Sequence, residues 1–277
     1  MSLWTYEHAV TLLPAVVMMA IVCFGLRMLL KNKSYSVRMI PVQVVTVILL
    51  LLEVGKQVLS FKQGYDLYCI PLHFCSLFLY VMPVFAFYRG KHSKTVGVVT
   101  ASLCMSVFVL MMIYPCLIYS ADNIKGFFGD YFHFHTVAFH NLVVLLLFMI
   151  LALDLYTPEK GKDVWKPSLF MMIYAAIAAP MAQILQTNYN NFYQCNIPPL
   201  ETVRMLVQNN FGYWPAQILY VVIVVVLDIF FVLLARYLYV LAHRLLYKVP
   251  AGKNGMIHDN MIRDGCRPHP SLLLCAR

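Results

Sequence analysis

Seven apolar runs, each about twenty residues or longer, dominate this chain, at roughly 9–30, 38–61, 69–88, 95–119, 133–154, 165–186 and 214–240. A helix needs about 20 mostly apolar residues to cross a bilayer, and backbone groups that face hydrocarbon must be paired within their own segment. The runs therefore predict an all-α polytopic membrane bundle of about seven transmembrane helices. Hydrophobic residues make up 61% of the chain and charged residues 12%, a balance that a water-soluble core has no use for. The connections are too short to fold alone, so residues 1–244 read as one transmembrane domain. Residues 245–277, polar and containing Gly and Pro, read as a disordered cytoplasmic tail.

The net charge of +9 suggests an anionic partner until its distribution is considered. Apart from Lys56, Lys62, Lys125 and Arg204, every basic residue falls in or beside the first, third and fifth connections or at the C-terminal end. By the positive-inside rule those segments are cytoplasmic and the N-terminus is outside, which requires an odd number of spans. The charge thus marks one face of a cell membrane and implies no nucleic-acid partner. The first run is not a cleavable signal, since the residues before it carry Glu7 and no Lys or Arg and the run exceeds a signal h-region. Cys23, Cys75 and Cys104 lie inside runs, whereas Cys69 and Cys195 stand at the outer, oxidising face as candidates to pair. No paired CxxC motif or Gly-rich phosphate loop is present, so the sequence calls for no metal or cofactor.

Ionisable groups at membrane depth are costly and mark sites or paired contacts. Here they share a level. Glu53 and Lys56 lie on span 2, His73, Cys75 and Ser76 on span 3, and His140 and Asn141 on span 5. Gln183 and Gln186 on span 6 lead into Asn188, Asn190 and Asn191. At 1.5 Å per residue, Glu53, Cys75 and His140 each lie on the order of 10 Å inside the outer boundary. With spans 2, 3, 5 and 6 as neighbours, one polar cavity would open on the outer side. Glu53 and Lys56, three apart, also have a plain reading as a self-neutralising pair. His133 and His135 fall at the interface, where a solvated histidine needs no explanation. His140 is seven residues into its span and precedes an apolar run, which sets it apart. His73 adjoins Pro71 in the first turn of span 3, where unpaired N–H groups and a positive dipole end gather. On one regular helix His73 and Cys75 face apart, so a Cys–His pair would join span 3 to span 5, while Leu72 and Cys75 share a face. Asp228, by depth, belongs to the cytoplasmic half and stands apart.

Five stretches in order carry a resemblance. They are Glu53-Val54-Gly55-Lys56, Ile70-Pro71-Leu72-His73-Phe74-Cys75, His140 opening an apolar run, Asn188-Tyr189-Asn190-Asn191 followed by Cys195 and Pro198, and Gly212-Tyr213-Trp214-Pro215. From about residue 40 to 240 the chain resembles bacterial YwaF-type membrane proteins and, more distantly, the animal transmembrane protein 164 family of membrane acyltransferases. The animal family is implied to move an acyl chain between phospholipids through a cysteine thioester, with a histidine as partner. Its cysteine directly precedes the histidine; here Leu72 holds that position and Cys75 follows two residues after His73.

These readings combine into an expected lipid-directed acyltransferase or acyl hydrolase with an outer-side site and phospholipids as partners. His140 would be the general base and Cys75 the nucleophile; without Cys75, His73 and His140 would activate water or an acceptor headgroup. The start of span 3 and Asn190 would stabilise an oxyanion, and Glu53 and Lys56 would orient a histidine or contact the headgroup, with Asn188 and Asn191 in support. The alternative is a non-enzymatic transporter or small-molecule binding protein, although the polar cluster is off the midplane and no paired broken helices are evident. Haem between His73 and His140 is a third reading. Span 7 has no lysine, which excludes a retinal Schiff base there.

Overall fold

The computed structural model describes residues 4–159, 161, 163–194 and 198–247. Nine α-helices follow in order among them: α1 (Tyr6–Leu30), α2 (Tyr35–Lys62), α3 (Phe78–Phe87), α4 (Ser93–Ile113), α5 (Ala121–Gly126), α6 (Tyr131–Ala152), α7 (Trp165–Leu185), α8 (Pro198–Phe211) and α9 (Tyr213–Tyr247). Six of these, α1, α2, α4, α6, α7 and α9, are long and apolar enough to cross a membrane.

The third expected span, 69–88, is not one helix. Only Phe78–Phe87 is α-helical, preceded by a 3-10 turn at Phe74–Leu77 and another at Leu67–Cys69. Pro71 lacks an N–H and pushes Ile70 into extended backbone, so a helix beginning at 69 breaks immediately; Ile70 has ψ 130° and His73 ψ 158°. The fourth span stops at Ile113, before Pro115, and not at 119. α9 runs on past 244 to Tyr247, about 52 Å at 1.5 Å per residue. The tail beyond it, and Cys195 with its expected pairing, lie outside the described residues.

α4 is the central post. Of its most apolar window 67% is buried, against 17% for α1 and 22% for α9, whose other faces are left for lipid. α4 packs on α3, α6, α7 and α9, while α1 and α2 pack on α6. The expected ring of spans 2, 3, 5 and 6 is thus only partly formed: α2 touches α3 and α6, but α7 lies chiefly against α4 and α9.

Helix ends follow their sequence. Asp130 caps α6, its Oδ1 accepting from the N–H groups of Phe132 and His133. At the other end of α6 the unpaired carbonyls receive side chains from three helices. Arg38 donates to Leu153 O at 2.6 Å, Tyr247 to Leu151 O at 2.7 Å, and Arg27 to Ala152 O at 3.4 Å. Cations there also suit the helix dipole. α8, which hydropathy alone does not reveal, is amphipathic and packs on α9. On it Arg204 donates to Glu201 at 2.5 Å, and that bond holds the Glu201 carboxyl below the usual carboxylate range.

Candidate functional site

Glu53 lies nine residues from the C-terminal end of α2, roughly 14 Å along the helix, and is only 8% exposed. A carboxylate at that depth must be paired and fully hydrogen-bonded, and it is. Oε1 accepts from Lys56 Nζ at 2.7 Å and from Gln57 Nε2 at 2.7 Å, and Oε2 meets His135 Nε2 at 3.1 Å. The plain reading of Glu53 and Lys56 as a pair is correct, and Glu53 does hold a histidine. That histidine is His135, five residues before His140 on α6, and it is 7% exposed instead of solvated at the interface. His133 bonds Asn123 Oδ1 at 2.8 Å.

α2 and α6 approach closely here because residue 55 is glycine. A Cβ at Gly55 would collide with the Tyr131 hydroxyl, which donates to Leu52 O at 2.8 Å. The EVGK stretch is therefore a contact surface as well as a charge pair.

His140 Nδ1 lies 2.6 Å from Thr136 O. A carbonyl only accepts, so Nδ1 carries the proton and Nε2 presents a lone pair; this is the tautomer a general base needs. His73 Nε2 lies 3.0 Å from Tyr68 O, which by the same logic leaves Nδ1 as its acceptor. Its ring is packed by Tyr68 at 4.2 Å and Tyr189 at 5.2 Å between centroids. Cys75 and His140 are half-buried.

The segment carrying His73 and Cys75 is irregular backbone inside the bundle, tolerable only if its polar groups are paired. Side chains supply the partners. Leu67 O accepts from Tyr189 at 2.5 Å, Tyr68 O from His73, Cys69 O from Gln57 at 2.7 Å, Pro71 O from Tyr80 at 3.3 Å and Leu72 O from Tyr174 of α7 at 2.8 Å. Because 72 is outside any helix, Leu72 and Cys75 do not share a helical face, and the argument that His73 and Cys75 must point apart lapses with it. Tyr174→Phe leaves one carbonyl without its donor and is expected to lower stability by about 1–3 kcal/mol, read as a fall in thermal midpoint in detergent.

The three asparagines after α7 build a loop. Asn188 Oδ1 accepts from the N–H groups of Tyr193 at 3.1 Å and Gln194 at 3.0 Å. Asn190 and Asn191 adopt φ 48° and 59°, the left-handed region that asparagine tolerates. Asn190 Nδ2 donates to Asp228 Oδ2 at 2.6 Å, so Asp228 does not stand apart and Asn190 is not directed at an oxyanion. Between them Tyr189, fully buried, is delivered to Leu67 and His73. The loop follows α7, which ends at Leu185 beside its expected end, and it packs on the 67–72 segment. Gln57 and Tyr174 were missed, and His135, Tyr189 and Asp228 were named without these roles; Gln57, one turn beyond Glu53, carried the one local signal.

A shallow open groove lies elsewhere, between α8 and α9, lined by Leu200, Val203 and Tyr220 among others. Among the described residues no group of three or more His, Cys, Asp or Glu is placed to hold a metal ion. A sequence model of the TMEM164 family matches residues 3–235. No curated protein and no solved structure matches the chain.

Proposed function

Since the chain belongs to the TMEM164 family, we propose that it is a phospholipid-directed acyltransferase or acyl hydrolase working from the outer side of the cell membrane. The observation that carries this reading is the buried Glu53–Lys56–His135 network between α2 and α6, with His140 on the same helix holding Nδ1–H on the Thr136 carbonyl. An acyl ester already dissolves in the bilayer, and these groups lie near ester depth, so substrate enters laterally between helices. His140 Nε2 takes the proton of the attacking group. Cys75 is that group in a thioester route, two residues after His73 where the animal family's cysteine directly precedes the histidine; in the direct route it is water or an acceptor hydroxyl. His73 supports from the facing segment, and Asn188, Asn190 and Asn191 act through Tyr189.

The test is the purified protein in vesicles of phosphatidylcholine with a labelled acyl chain, with lysophosphatidylethanolamine as acceptor. Labelled phosphatidylethanolamine or free fatty acid is expected by mass spectrometry; neither product appearing would refute the reading. Orientation is checked separately in a cysteine-free background. Ser34→Cys and Ser93→Cys are expected to resist an impermeant thiol reagent in intact cells and Asp122→Cys to react; labelling of Ser34→Cys from outside reverses the topology.

A second reading, a non-enzymatic transporter or binding protein, draws support from the buried Glu53–Lys56–His135 network, since intramembrane ionisable groups also serve proton and ion pathways. Vesicles that release no acyl product but accumulate or bind a solute would favour it.

A further inference from the structure

The basic residues that gather on one face of the membrane are not spread evenly over it. Arg27 stands in the last turn of α1, Arg38 in the first turn of α2 and Arg89 just after α3, and the fold brings the three to one corner. Arg27 and Arg38 donate to the neighbouring carbonyls of Ala152 and Leu153 at the end of α6. Arg38 and Arg89 lie 6.0 and 5.6 Å from the centre of the Tyr35 ring, and Arg27 lies 4.5 Å from that of Tyr247. We propose that this corner is a binding site for a phosphate group, carried by a phospholipid headgroup or free in solution. Fifteen residues of α2, roughly 22 Å, separate Arg38 from Glu53. The site is therefore distinct from the Glu53 network and does not rest on the acyl-transfer reading.

Capping the end of α6 explains one N–H group of each donor, but not the charge. In the connection after α6, Asp154 pairs with His243 at 2.8 Å, Glu159 with Lys94 at 2.6 Å and Asp163 with Lys166 at 2.5 Å, so each of these carboxylates already has its cation. Among the described residues no carboxylate forms an ion pair with Arg27, Arg38 or Arg89, and three guanidiniums in one corner repel one another. Arg38 is only 6% exposed, and its Nε, shut off from water, has no partner among the described residues. A buried donor of a charged group without an acceptor is costly, and a bound anion offsets both that cost and the repulsion. The chemistry of the donors selects phosphate. A guanidinium offers planar pairs of N–H groups that match two oxygens of one phosphate, and an aromatic ring beside it holds that plane. Basic pockets between helix ends on the cytoplasmic side are where membrane proteins hold acidic headgroups.

The test uses the full chain in detergent, titrated with phosphatidylglycerol or with inorganic phosphate, and reads the thermal midpoint together with bound adducts by native mass spectrometry. A rise in midpoint and a retained adduct are expected for wild type. Arg27→Gln and Arg89→Gln are each expected to weaken binding by about ten- to a hundredfold, the scale of a lost hydrogen bond to a charged group. Arg89 is exposed and carries the test should Arg27→Gln fail to insert. Lys31→Gln combined with Lys33→Gln removes two charges from exposed positions between α1 and α2 and is expected to leave binding unchanged. An adduct of phosphatidylglycerol that inorganic phosphate does not displace identifies the headgroup as the source; protection by inorganic phosphate with displacement of the lipid identifies free phosphate, and either supports the site. Arginine variants that bind as tightly as wild type, or a wild type that binds neither probe, overturn it. A Lys31→Gln, Lys33→Gln protein that loses as much binding as the arginine variants also overturns it, leaving only the general attraction of a basic surface.

Discussion

His140→Ala is expected to lose acyl transfer by roughly two to four orders of magnitude, the scale of a removed general base. The ring is fixed by its own helix, since the Thr136 carbonyl holds Nδ1–H at 2.6 Å and thereby commits Nε2 to accepting a proton. Alanine deletes both the base and its orientation while leaving α6 helical. Cys75→Ala divides the two routes. In the thioester route it abolishes transfer and removes a hydroxylamine-sensitive acyl-enzyme; in the direct route substantial activity survives. Both routes require His140, so an active, correctly inserted His140→Ala protein would sink the catalytic reading and leave His140 a packing residue. Comparison of the two variants in one vesicle preparation supplies the measurement.

Glu53→Ala is expected to cost about 3–5 kcal/mol, the penalty for removing one partner of a buried ion pair. Alanine strands the Lys56 ammonium, 2.7 Å from where Oε1 had been, and withdraws the acceptor from Gln57 and His135 together. Gln57 also holds Cys69 O at 2.7 Å, so the damage spreads to the segment bearing His73 and Cys75. Equilibrium unfolding in detergent reads the effect. A midpoint unchanged from wild type would mean that water reaches this carboxylate and that its contacts are weak.

The bundle was legible because hydropathy reports the solvent directly: six of the seven apolar runs are helices within a few residues of their expected ends, apart from the early stop at Pro115 and the extension to Tyr247. Glu53, Lys56 and His140 were legible for the same reason, as polar groups at a depth that penalises them. What failed was every step that assumed an unbroken helix through 69–88, where Pro71 ends the periodicity on which facing arguments depend. His135 misled because depth counted from a helix start places it at the interface, whereas Glu53 of α2 and the rings of Tyr131 and Phe139 enclose it. The pairing of Asn190 with Asp228 was invisible because a loop that folds back along α9 cancels the depth difference that sequence position suggests. α8 escaped notice since an amphipathic helix lying beside the bundle carries no long apolar run.

The carbonyls of 67–72 also fix a timetable. Leu72 and Leu67 find their donors in Tyr174 and Tyr189, which follow them by 102 and 122 residues. At the ribosome's pace of roughly 5–20 residues per second, those donors emerge on the order of 5–25 s after the groups they serve. During that interval the stretch holding His73 and Cys75 has no settled place in hydrocarbon and must wait at the headgroup level or inside the insertion machinery. The reactive centre is therefore completed only after α7 and the loop behind it have arrived, and a chain truncated before Tyr174 would be inserted, helical and chemically silent.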